Sequence, residues 1–86
     1  NYKDGKWGKG ELTDDPNVVL NECAGILQYC QQVFEGLKAY KTKDGRTVTF
    51  RPDQNEKRLM DSAKRLEMPP VPEDMFMEAV LFQVVQ

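Results

Sequence analysis

The dipeptide Asp44-Gly45 stands between two runs of strand-forming residues, and no other feature restricts the folding of this chain so tightly. Upstream, residues 33–40 read VFEGLKAY, with Val33, Leu37 and Ala39 at odd positions and Phe34, Gly36 and Tyr40 at even ones. Downstream, Thr47, Val48, Thr49 and Phe50 are β-branched or aromatic and suit a pleated, half-buried surface. Asp-Gly accepts the backbone angles of a tight turn, so the two runs are expected to pair as an antiparallel hairpin. Pro52 has no amide proton for a ladder and is expected to end the second strand.

Beyond Pro52 the apolar period changes. The run DQNEKRLMDSAKRLEM places Leu59, Ala63 and Leu66 on one stripe with Met60 beside it, which predicts a helix. Asp53 is the expected N-cap, and Glu56 three residues on completes the spacing of a capping box. The prolines of MPPVP stop that helix. EDMFMEAVLFQVVQ predicts a second helix with Glu73 and Asp74 in its first turn, apolar nearly all round and so expected to pack deeply. Near the start, Asp4-Gly5 signals a short hairpin anchored by Trp7, and Gly8 and Gly10 suggest a second turn. Pro16 pushes Asp15 into an extended conformation, and one helical turn is expected near residues 25–30. The expected fold class is α+β, a two-layer α/β arrangement in which a β-hairpin sheet is covered by two helices.

With 86 residues, the chain suffices for one small domain. A domain of that size buries only about 60% of its unfolded surface. Acids and bases are interleaved at a net charge of −2, which gives no electrostatic case for nucleic acid or an anionic membrane. Neither an apolar run of membrane-spanning length nor a signal peptide is visible. The sequence starts at Asn1 without Met and stops inside an apolar run without a capping glycine. The expectation is therefore a single, partial domain over residues 1–86, cut from a longer protein. Histidine is absent, which excludes Ser-His and Cys-His nucleophile pairs within these residues. Cys23 and Cys30 have no partners to complete a zinc site, so no metal is expected. They read as reduced, partly buried thiols of a cytoplasmic protein, with a Cys23–Cys30 disulfide as the alternative.

Four positions have both a bland and a functional reading. Arg58 lies early in the expected helix, where free amides and the macrodipole attract anions and a guanidinium fork matches a phosphate. It equally suits a solvated arginine paired with Asp61 or Asp53. Gly36, within Phe34-Glu35-Gly36, marks either the close approach of a ligand or a bulge. Tyr29 reads first as a half-buried packing aromatic. Of eight lysines, Lys38 alone shares a strand face with Phe34 and Gly36; the others sit in polar contexts. No carboxylate pair has a spacing suited to acid–base work.

Read together, QYCQQVFEGLKAY and DGRTVTFRPDQNEKRLMDSAKRLEMPPVPEDMF resemble the N-terminal portion of branched-chain amino-acid aminotransferases. Those are pyridoxal 5'-phosphate enzymes of fold type IV. The likeness covers nearly the whole chain, from DGKW through VFEGLKAY to FRPD and the SA-x-x-RL-x-MP that follows, in the family's order and spacing. Cys30 and Gln28 are departures, where the family commonly has Gly or Ser and often has His.

The resemblance implies that Arg58 holds the cofactor phosphate and that Phe34 walls the side chain of leucine, isoleucine or valine. It implies further that Gly36 leaves room for substrate and cofactor, and that Lys38 sits beside the pocket in a weaker role. Tyr29 would reach into the active site of a partner subunit, since the family works as a homodimer or larger. Arg58 and Phe34 should then face one hollow. No catalytic residue is expected here, because the family's Schiff-base lysine lies beyond residue 86. The chain alone should therefore not transaminate, whereas the whole enzyme would pass the amino group to 2-oxoglutarate. Two alternatives remain: another fold type IV enzyme, such as a D-amino-acid aminotransferase or aminodeoxychorismate lyase, and a stand-alone interaction module marked by the apolar last helix.

Overall fold

A computed structural model describes residues 1–85. In chain order the elements are β1 (Tyr2–Lys3), β2 (Lys6–Trp7), α1 (Gly25–Tyr29), β3 (Ala39–Lys41), β4 (Thr47–Thr49), α2 (Pro52–Arg65) and α3 (Glu73–Val85). This is an α+β arrangement with two separate two-stranded antiparallel sheets. The chain forms two compact units, Asn1–Cys30 and Gln31–Gln86.

In the first unit, β1 pairs with β2 in the register Tyr2↔Trp7 and Lys3↔Lys6. Asp4 and Gly5 carry φ of 53° and 81°, the two positive values a two-residue hairpin turn of the right twist demands. Trp7 anchors the hairpin as expected, its ring edge-on to Tyr2 with centroids 5.4 Å apart. The helical turn expected near residues 25–30 is α1. Cys30 closes it in the left-handed region at φ 52°, donating its N–H to the carbonyl of Gly25.

In the second unit, the Asp44-Gly45 turn forms where the sequence places it. The register is Ala39↔Thr49, Tyr40↔Val48 and Lys41↔Thr47. Thr42 N–H donates to the carbonyl of Arg46 at 2.8 Å, closing a three-residue loop. Gly45 takes φ 85° at the loop's left-handed position, where a side chain would be strained. The first strand is shorter than expected, because residues 33–38 lie outside the ladder. The reason is the fate of the partner strand: β4 stops at Thr49, and Arg51, at φ 48°, turns the chain into α2. No backbone then remains opposite Val33–Lys38.

Helix α2 begins two residues earlier than the capping-box reading has it. Pro52 occupies the first turn, where its missing N–H costs nothing and its fixed φ is already helical. Arg51 is the N-cap and makes no side-chain cap bond. Asp53 therefore sits inside the first turn and pairs with Arg51 at 3.3 Å. Glu56 does not reach back to a cap amide; it is buried, and its Oε1 has no hydrogen-bond partner. Glu56 and Ala63 are the buried residues of α2, with Leu59 and Met60 half-buried on the same side. The helix ends in a Schellman motif: Met68 N–H donates to the carbonyl of Ala63 at 2.8 Å and Glu67 N–H to that of Lys64 at 3.1 Å. Glu67 holds the left-handed position at φ 56°, where glycine is the usual residue. After the prolines, Phe76 N–H finds the carbonyl of Pro72 and starts α3, which packs on α2.

Two stability outcomes follow. Glu67→Gly removes a left-handed strain of about 1–2 kcal/mol and should raise the midpoint of chemical denaturation by roughly that amount in free energy, less the entropy added to the unfolded chain. Glu56→Met keeps most of the buried volume and removes an unpaired carboxylate oxygen, and should raise the melting temperature. A lower melting temperature for Glu56→Met would mean that this carboxylate is satisfied in solution.

Candidate functional site

Helix spacing sets up the site. Asn55 and Arg58 are three residues apart on α2 and so share a face. Both reach the segment that precedes β3. Arg58 donates from Nε to Oε2 of Glu35 at 2.7 Å and from Nη2 to Oε1 of the same carboxylate. Asn55 Nδ2 donates to Glu35 Oε1 at 2.9 Å and to the carbonyl of Gly36 at 2.8 Å. The Gly36 N–H closes the set, donating to Glu35 Oε1 at 2.9 Å. One carboxylate thus gathers donors from the helix and from its own backbone.

The two members of the ion pair are unequally exposed. The Glu35 side chain is 8% exposed and that of Arg58 is 68% exposed. The Arg58 guanidinium, with help from Asn55 and the Gly36 amide, holds the Glu35 carboxyl down at about 2 against the opposing effect of desolvation. The Glu35 hydrogen bond and charge in turn raise Arg58 above its ordinary value. An arginine has five N–H donors, and two of them face Glu35. The outer edge of the fork is open and suits an anionic oxygen.

Arg58 is therefore a paired arginine, but its partner is Glu35 and not Asp61 or Asp53. Glu35 and Asn55 carry the cluster and were not singled out by sequence reading. Two signals point to them: Glu35 is the one acid in an otherwise uncharged stretch from residue 23 to 37, and Asn55 lies one helical turn before Arg58.

The remaining candidates are dispersed. Phe34 is 91% exposed and lines a shallow hollow with Val33, Asp61, Ser62, Arg65 and Leu66. Gly36 and Lys38 line a second hollow with Leu37, Tyr40, Phe50 and Asn55. Arg58 lines neither of these two hollows; its guanidinium is drawn aside to Glu35. A Cβ built on Gly36 would meet only the Phe34 ring, at 3.7 Å, which is ordinary contact. Nothing among the described residues therefore requires glycine there. Tyr29 ends α1 in the first unit and is 87% exposed. Cys23 and Cys30 are free thiols, and both are exposed where partial burial is expected from sequence. Among the described residues, no cluster of His, Cys, Asp and Glu is placed to hold a metal, and no helix is long and apolar enough to cross a membrane.

No family model matches the chain. Individual relatives do. A branched-chain-amino-acid aminotransferase of Haemophilus influenzae is 49% identical over 78 residues, covering 91% of this chain and 23% of that protein. One of Helicobacter pylori is 46% identical over 78 residues, again 91% of this chain and 23% of the relative. A methionine aminotransferase of Arabidopsis thaliana is 49% identical over 72 residues, 84% of this chain and 20% of the relative. The class these likenesses define is the aminotransferases. Within it, the chain is similar to branched-chain-amino-acid aminotransferases over about nine-tenths of its own residues, and it spans about a fifth to a quarter of the length of the relatives it matches.

The clamp has a pH signature. Glu35 titrates at about 2 when folded against an ordinary 4.5, so its stabilisation is complete above about pH 4.5 and is lost as pH falls from there towards 2. Thermal melts of the native chain should fall across that interval more steeply than melts of Glu35→Gln. A carboxyl carbon resonance of Glu35 with a midpoint near 4.5 would show the clamp absent in solution.

Proposed function

We propose that the chain is the N-terminal small-domain part of a longer, pyridoxal-phosphate-dependent transaminase that moves the amino group of leucine, isoleucine or valine to 2-oxoglutarate. The observation that carries this reading is identity of 46–49% to branched-chain-amino-acid aminotransferases over 91% of the chain. When bound, pyridoxal phosphate supplies the electron sink for amino transfer. The residues of this chain bind and orient. The open edge of Arg58 takes a phosphate oxygen, and the exposed ring of Phe34 covers an apolar substrate side chain. Gly36 leaves its flank clear, Lys38 stands beside it, and Tyr29 reaches a partner subunit of a homodimer. Two exposed, free thiols suit a reducing compartment, and we place the enzyme in the cytoplasm.

A second reading keeps the chemistry and widens the substrate. The plant relative is named for methionine, whose unbranched side chain an apolar wall also accepts. One methylene is worth only about 1–3 kcal/mol in such a pocket.

Glutamate release from 2-oxoglutarate by the full-length protein carrying this segment tests both. L-leucine, L-isoleucine and L-valine should be converted at specificity constants within about two orders of magnitude of one another. Preference for L-methionine would favour the second reading. Conversion of D-alanine without L-leucine would overturn both. The isolated 86-residue chain with added pyridoxal phosphate should give no turnover.

A further inference from the structure

We propose that Glu35 is the positioning residue of Arg58: it fixes the guanidinium by the Nε–Nη2 side so that the outer edge is presented to an incoming phosphate. This deepens the functional reading above and rests on Arg58 meeting the cofactor phosphate. Four observations support it.

The carboxylate is the anchored member of the pair, 8% exposed against 68% for the arginine. It is held independently of Arg58, by Asn55 Nδ2 at 2.9 Å and the Gly36 N–H at 2.9 Å. The contact to arginine is two-pronged, through Nε and Nη2, which defines the plane of the guanidinium as well as its place. Finally, Asn55 also grips the carbonyl of Gly36 at 2.8 Å, so the backbone bearing the carboxylate is fixed to the same helix that bears the arginine. A long, flexible side chain left alone in water would sample many rotamers. Here one rotamer is selected before a ligand arrives, and the open edge matches two phosphate oxygens.

The test is equilibrium binding of two probes to the full-length apoprotein that carries this segment: pyridoxal phosphate, and pyridoxal, which lacks the phosphate. Arg58→Ala should weaken pyridoxal phosphate strongly and pyridoxal little. Glu35→Gln, which keeps the shape and removes the charge, should weaken pyridoxal phosphate about tenfold and leave pyridoxal unchanged, the scale on which partners of ligating groups act. Asn55→Ala should give a smaller loss with the same selectivity, and Glu35→Asp should recover part of the Glu35→Gln loss.

If Arg58→Ala weakens both probes equally, the phosphate reading of Arg58 fails. If Arg58→Ala is selective but Glu35→Gln leaves both probes unchanged or weakens both equally, the positioning role is overturned while the phosphate reading stands. Should Glu35→Gln fail to fold by circular dichroism, the ratio of the two affinities in Asn55→Ala decides the matter on the same terms.

Discussion

The Glu35 carboxylate ties the segment before β3 to helix α2. Without it, Val33–Lys38 would have little to hold them: the strand ladder stops at Ala39, and β4 offers no backbone opposite. Arg58, Asn55 and the Gly36 amide converge on that one group, and Asn55 also takes the Gly36 carbonyl. Gln31 adds a second tie, donating to the carbonyl of Leu66 at 3.0 Å. An isolated surface ion pair contributes about 0–1 kcal/mol. The difference here lies in number and burial. The carboxylate is nearly enclosed and accepts several donors, so the set holds it more firmly than any single pair would.

That dependence follows from how the helix starts. Pro52 fixes the first turn, and Arg51 in the left-handed region makes the sharp exit from β4. Together they set the rotation of α2, and with it the direction in which positions 55 and 58 point. The far end is set as firmly by the Schellman motif at Glu67, followed by the prolines. A helix pinned at both ends is a rigid platform for the side chains it carries.

Much of this was legible in residue order. Asp44-Gly45 defines its hairpin, the stripe of Leu59, Met60 and Ala63 defines α2, and the proline cluster separates α2 from α3. Arg58 stands in the helix that the pattern defines, three residues after Asn55. What was hidden depends on pairings that periodicity does not encode. The length of β3 is decided by where its partner ends. The helix start is decided by Pro52, which takes the first turn because it needs no hydrogen bond there, leaves Arg51 as the N-cap and draws Asp53 inside the helix. The partner of Arg58 comes from 23 residues away, while local spacing offers nearer acids at Asp53 and Asp61. Local acids lose because Asp53 is taken by Arg51, and because Glu35 lies where Asn55 and the Gly36 amide already stabilise a carboxylate.

The exposed rings bear on how such a clamp works within a longer protein. Among the described residues only Ala63 and Glu56 are buried, while Phe34 and Phe50 are 91% and 85% exposed. Rings so open gain from being covered, and the relatives are about four times the length of this chain. Covering would strip water from the neighbouring charges and lower the local dielectric. A lone arginine would then be costly, whereas an arginine already matched by a carboxylate is tolerated. The same pairing has a second consequence. A phosphate that approaches the open edge meets a cation whose charge is largely balanced, so its hold depends on directed N–H bonds more than on net attraction. Orientation of the guanidinium then matters more than its charge, and orientation is what Glu35 controls.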